Sequence, residues 1–143
     1  MSNKDFKIGD VSALSSYISD TLGACSLAIS DAVKTESEKI AKDAVKTLKS
    51  TSPKRKGGAY SKGWRYKMTK VQADGSFSVT IYNATYGSLT HLLEKGHPIV
   101  RAGKKVGQAR AFPHIAPVSD NIQTEGFNKI ANAANAALQK VKT

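Results

Sequence analysis

The chain has 143 residues, too few for two independent cores and enough for one, and 40% of them are hydrophobic. Its net charge of +11 arises from 22 Lys and Arg against 11 Asp and Glu, and its one cysteine, Cys25, excludes an internal disulfide. No apolar run approaches the roughly 18 residues of a membrane span, and none follows the opening MSNKDFKIGD, so a protein made and used in the cytosol is expected.

From Val11 onward, Leu14, Ile18, Leu22, Cys25, Ile29 and Val33 recur at three- and four-residue steps, and the series resumes at Ile40, Ala44, Val45 and Leu48. This is one face of a helix over 9–50, capped by Asp10 and stopped at Ser52-Pro53, because proline disfavours helix in its predecessor and donates no hydrogen bond. Cys25 reads as a small buried thiol on that face. So long a helix overhangs a small domain, which predicts core contact for one half and partner contact for the other.

Residues 53–63, PKRKGGAYSKG, hold three glycines and four basic residues and predict a mobile basic loop. Next, WRYKM alternates Trp64, Tyr66 and Met68 with Arg65 and Lys67, and FSVTIYN alternates Phe77, Val79 and Ile81 with polar neighbours. That two-residue period, broken by the ADGS turn, predicts an antiparallel hairpin with a basic outer face. SLTHLLEKG reads as a short helix over 88–95, with Ser88 as N-cap and Gly96 as C-cap. HPIVRAGKKVGQARAF then reads as a strand, a tip at 103–107 and a returning strand. Ile122, Phe127, Ile130, Ala134, Leu138 and Val141 predict a last helix over 116–141, with Gly126 as its weak point. The sum is one α+β domain: a long N-terminal helix, a small antiparallel β-sheet within 64–112 holding a short inserted helix, and a C-terminal helix.

The charge is unevenly placed. Residues 1–50 carry seven basic and seven acidic side chains, whereas 51–143 carry fifteen basic and four acidic ones. Lys54, Arg55 and Lys56 open one basic run, and Arg101, Lys104, Lys105 and Arg110 form another, a field suited to nucleic acid or an acidic protein surface. Tyr60, Trp64 and Tyr66 among these bases would suit single-strand stacking, but the alternation of Trp64 and Tyr66 with polar residues places them in the core.

His91, Glu94 and His97 are spaced as neighbours on a helix, yet the common zinc-binding helix sets its histidines four apart with glutamate beside the first, and Gly96 and Pro98 end the helix here. The expected role of Glu94 is instead to cap or pair with a basic group, with the histidines hydrogen-bonded at a helix end. No P-loop and no Gly-x-Ser-x-Gly elbow is present, so no catalytic residue, cofactor or metal is assigned.

Several motifs, taken in order, resemble the tail-completion, or head–tail joining, proteins of long-tailed bacteriophages: TSPKRKGGAYSKGW, VTIYNATYGSLTHLLEKGHP and RAFPHIAPV. Its most diagnostic residues are Leu92, Leu93, Glu94, Gly96 and His97, with Pro113, His114 and Pro117. The resemblance spans 51–118, and departs where Lys56-Gly57-Gly58 stands in place of a Thr-Gly pair. It implies a non-enzymatic neck protein of the virion, assembled in the host cytoplasm as a ring, expected to be a hexamer, between head and tail. Implied partners are a head-completion or stopper protein, the tail terminator and the tail tube, with non-specific contact to DNA in the channel and no membrane. Within it, Glu94, Gly96 and His97 would set a sharp exit from the short helix, the prolines around His114 would lock the last helix, and Lys54, Arg55, Lys56, Arg101, Lys104, Lys105 and Arg110 would contact partners. The alternative is a basic protein that binds nucleic acid without reading its sequence.

Overall fold

A computed structural model describes residues 11–142, apart from the side chains of 11–22, 56 and 142. The Asp10 cap lies outside the described residues.

The first helix, α1, runs Val11–Thr51 without interruption at Gly23, and its 41 residues reach about 60 Å at 1.5 Å each. Ala41, Ala44 and Leu48 form its buried stripe, while Cys25 is only half-buried, not the buried thiol its spacing suggests. The difference arises because the core lies against the C-terminal part of the helix. At that end Ser50 and Thr51 both donate from their hydroxyls to the Thr47 carbonyl, and Pro53 ends the helix.

The basic segment after it is more structured than its glycines suggest. A 3-10 turn, Lys56–Gly58, leads into a one-turn helix, α2 (Ala59–Lys62), with Gly57 and Gly58 at positive φ. Tyr60 and Ser61 are buried, so this segment supplies core residues; the aromatic ring overrides the loop-forming tendency of its neighbours.

Strands β1 (Trp64–Met68) and β2 (Val79–Asn83) pair antiparallel, Trp64 opposite Asn83 and Met68 opposite Val79. Exposure alternates along both, as the sequence period requires. Their connection turns on Asp74, whose carboxylate accepts from the Ser76 N–H and hydroxyl, interactions that hold it below the usual carboxylate range. Tyr66 donates its hydroxyl to Glu38 and ties β1 to α1.

A 3-10 turn at Gly87–Leu89 precedes α3 (Thr90–Lys95), so Ser88 lies inside the turn and does not cap the helix; Thr90 donates to the Gly87 carbonyl instead. Strands β3 (His97–Arg101) and β4 (Lys104–Ala109) form a second ribbon separate from the first, so the antiparallel pairing is divided between two two-stranded sheets. The tip of β3–β4 is shorter than expected: only Ala102 and Gly103 turn, both at positive φ, as a tight two-residue hairpin requires. Between Ile99–Gly107 and Val100–Lys105 the register shifts, and Val106 is the extra residue of a bulge.

The last helical stretch begins with α4 (Ile115–Asn121), widens into a π-helical turn at Ile122–Gly126 and continues as α5 (Phe127–Lys142), which lies along α1. Gly126 sits where the widening ends, buried, with Ile40 of α1 nearby. The core gathers Ala44, Leu48, Tyr60, Trp64 and Val118, backed by Val45, Ile81, Leu93, Ile115 and Ile122. Burying side chains such as Leu48 and Val118 contributes roughly 1.5–3 kcal/mol each.

Candidate functional site

Residues from each of the sequence motifs converge on one buried polar network. Trp64 donates its indole N–H to Ser52 Oγ at 2.7 Å, so the serine of Ser52-Pro53 anchors the first strand. Asn83, buried at the end of β2, donates its amide to the Tyr60 carbonyl at 2.8 Å and accepts from the N–H groups of Thr85 and Tyr86. Gly63 is required beside it, because a Cβ there would lie 2.6 Å from Asn83 Oδ1.

Tyr60 and His114 meet next, hydroxyl to Nε2 at 2.8 Å, although they are 54 positions apart. Tyr60, Trp64 and His114 stand edge to face, with ring centroids 5.7 to 6.1 Å apart. The His114 Nδ1 faces two acceptors, the Phe112 carbonyl at 2.6 Å and Glu94 Oε2 at 3.0 Å. That environment assigns the proton to Nδ1, so in the neutral ring Nε2 accepts the Tyr60 hydroxyl hydrogen.

Glu94 completes the series. Its carboxylate accepts from the backbone N–H groups of His114, Ile115 and Ala116 at 2.8 to 2.9 Å. These are the donors that the start of α4 leaves unpaired, so a side chain from α3 acts as the cap of a helix 21 positions away. Burial by itself pushes the carboxyl up, but the His114, Ile115 and Ala116 N–H groups and the nearby imidazole together hold it below the usual range. Burial, and then the Glu94 charge, push the Tyr60 hydroxyl up to about 12. His114 and Tyr60 are buried while Glu94 keeps a partly exposed edge, and the Glu94–His114–Tyr60 series locks the 53–63 segment, α3 and α4 to one another.

Gly96 allows α3 to turn into β3. Its φ of 74° and ψ of 172° belong to a region open essentially to glycine alone, and a Cβ would lie 2.5 Å from the Ala109 carbonyl oxygen. His97 begins β3 opposite Ala109, with its Nδ1 enclosed and lacking a partner among the described residues. His91 is exposed, and among the described residues no three His, Cys, Asp or Glu side chains gather as metal ligands. Pro113 and Pro117 flank the capped turn and line a cleft against α1.

The basic residues fall into two places. Arg101 and Lys104 face each other across the β3–β4 tip with Lys105 beside them. Arg110 lies beyond the other end of β4 and shares a groove of about 580 Å³ with Lys54 and Arg55. The groove has apolar walls from Leu92, Leu93, Ile99 and Phe112, and His97 also lines it. The side chains of Lys54, Arg55 and Arg110 make no ion pair or hydrogen bond among the described residues. Lys56 lies in the 3-10 turn between this groove and Tyr60. Tyr60 and Trp64 are buried and thus unavailable as stacking platforms for bases.

The sequence reading missed Tyr60 as the link between the basic segment and His114. Its signal was the lone aromatic in a Gly and Lys stretch. Ser52 and Asn83 were visible only as parts of motifs, not as partners of Trp64 and Tyr60.

In this mixed α+β subunit the motif residues serve one another as internal fastenings. The family model described as "Bacteriophage HK97-gp10, putative tail-component" matches residues 16–96, more than half the chain. The chain belongs to this HK97-gp10-like family of bacteriophage tail components, and its place is the virion. No curated protein and no solved structure matches it. Among the described residues, no helix is long and apolar enough to cross a membrane.

Proposed function

We propose that this tail component works at the head–tail interface, as a ring that completes the tail where it joins the head. The observation that carries the reading is the family match over 16–96. The fold supports it: a fastened centre holds a long helix, a basic hairpin tip and a cationic groove pointing to different contacts. A closed ring needs two unlike surfaces on each subunit, and this chain offers a charge-balanced N-terminal helix and strongly basic β3–β4 and 53–63 regions. Arg101, Lys104 and Lys105 at the tip are the contacts proposed for a neighbouring neck protein, or for DNA phosphates in the channel without base readout.

Quantitative mass spectrometry of purified particles tests this reading. A fixed ratio of about one copy to two portal subunits is expected, as a hexamer beside a dodecameric portal would give. Absence of the chain from the particles overturns the proposal.

A further inference from the structure

We infer that the cationic groove receives the Leu27–Asp31 face of α1 from a second copy of this chain, an inference that rests on the ring reading above.

Leu27 is 75% exposed, the most exposed large hydrophobic among the described residues. Asp31 follows one helical turn later on the same side, also exposed, and its carboxylate makes no hydrogen bond or ion pair among the described residues. Lys34, a further turn on, acts electrostatically on Glu38 of its own helix. The Leu27–Asp31 face therefore presents an apolar knob beside a free carboxylate. The groove presents the complement: Leu92, Ile99 and Phe112 offer apolar contact, and Lys54, Arg55 and Arg110 offer unpaired positive charge. Burying Leu27 there removes apolar surface from water, and Asp31 gains cations whose side chains lack a partner among the described residues.

The same chain cannot make this contact. Lys54 and Arg55 follow directly after the C-terminus of α1 at Thr51, whereas Leu27 lies 24 residues back along an unbroken helix. At 1.5 Å per residue that is about 36 Å, a separation the helix itself enforces. The occupant must come from another molecule. Because knob and groove are different surfaces, the contact is head-to-tail, the kind that propagates around a ring.

Leu27→Cys and Phe112→Cys in a Cys25→Ser background test the contact in purified particles under mild oxidation. A disulfide ladder of this chain is expected, closing at the ring size. If no disulfide ladder forms while an amine-reactive cross-linker still gives one, the ring stands and this interface is overturned. If neither forms, both the ring and the interface are overturned. A disulfide from Phe112→Cys to a different virion protein overturns it in favour of that occupant. In addition, Arg110→Glu should lower the yield of joined particles about tenfold or more, and adding Asp31→Arg should restore it. Loss without restoration by the charge exchange overturns the pairing.

Discussion

Glu94 closes the start of a helix that begins 21 positions after it, its carboxylate accepting from the His114 N–H at 2.8 Å while His114 Nδ1 lies 3.0 Å away. One side chain thus satisfies backbone donors and orients a buried ring. The two motifs LLEKGHP and FPHIAP, far apart in the chain, are parts of one fastening.

Removing that carboxylate leaves the α4 donors unpaired and takes from His114 Nδ1 one of its two acceptors. Glu94→Ala is expected to cost about 3 kcal/mol, and Glu94→Gln, which keeps an acceptor, about half of that. Chemical denaturation of the purified variants measures both, and a midpoint unchanged in Glu94→Ala would show that the cap does not support the fold.

Stability should fall at both ends of the pH scale through this same series. Glu94 is held below its ordinary value, so its contribution is complete above the unfolded carboxyl pKa, about 4.3, and disappears as pH drops through the lower folded value. Tyr60 is raised from 10.0 to about 12, so its contribution is complete below 10.0 and lost as pH rises through that window. Denaturation midpoints across pH should show both declines. Tyr60→Phe should shrink the alkaline one and retain the acid one; an alkaline decline undiminished in Tyr60→Phe would assign it to another group, such as Tyr66, whose hydroxyl is also pushed up by desolvation and its bond to Glu38.

Two glycines should respond in opposite directions to alanine. Gly96→Ala forces a Cβ against the Ala109 carbonyl in a backbone region alanine avoids, a loss of about 3 kcal/mol or more. Gly126→Ala meets only ordinary contacts, 3.5 Å to Ile122 and 3.7 Å to Ile40, and removes a helix-breaking residue. It should therefore gain about 0.5–1 kcal/mol. Thermal melts of the pair test both signs at once.

The β3–β4 tip stores strain in a single residue. Ala102 has a φ of 47°, a left-handed conformation that costs a side-chain-bearing residue roughly 1–2 kcal/mol. Ala102→Asn creates the Asn-Gly pair favoured in such turns and should stabilise the protein by about 1 kcal/mol. If its melting temperature drops instead, the turn is held by contacts that alanine makes and asparagine cannot.

Local patterns were legible because they depend on near neighbours. The three- and four-residue apolar steps located α1 and the last helical stretch, and the alternation of Trp64, Tyr66 and Met68 located β1. Ser52-Pro53 marked the end of α1 to within a residue or two. Where the reading erred, either a distant contact or an unforeseen local turn had overruled the expected tendency. Residues 53–63 look like a loop until Tyr60 finds His114, and Ser88 looks like a cap until the 3-10 turn at Gly87–Leu89 absorbs it.

By itself the sequence determined the order and type of the main elements, and where the charge excess lies along the chain, since each follows from spacing or composition. Tertiary structure alone decided what those residues do to one another. It joined Ser52 to Trp64, Tyr60 to His114 and Glu94 to the α4 backbone, and it separated Arg110 from the hairpin tip to set it beside Lys54 and Arg55. Helical and strand periods encode which way a side chain faces, but not which side chain from 20 or 54 positions away it will meet; only the folding back of the elements sets that distance.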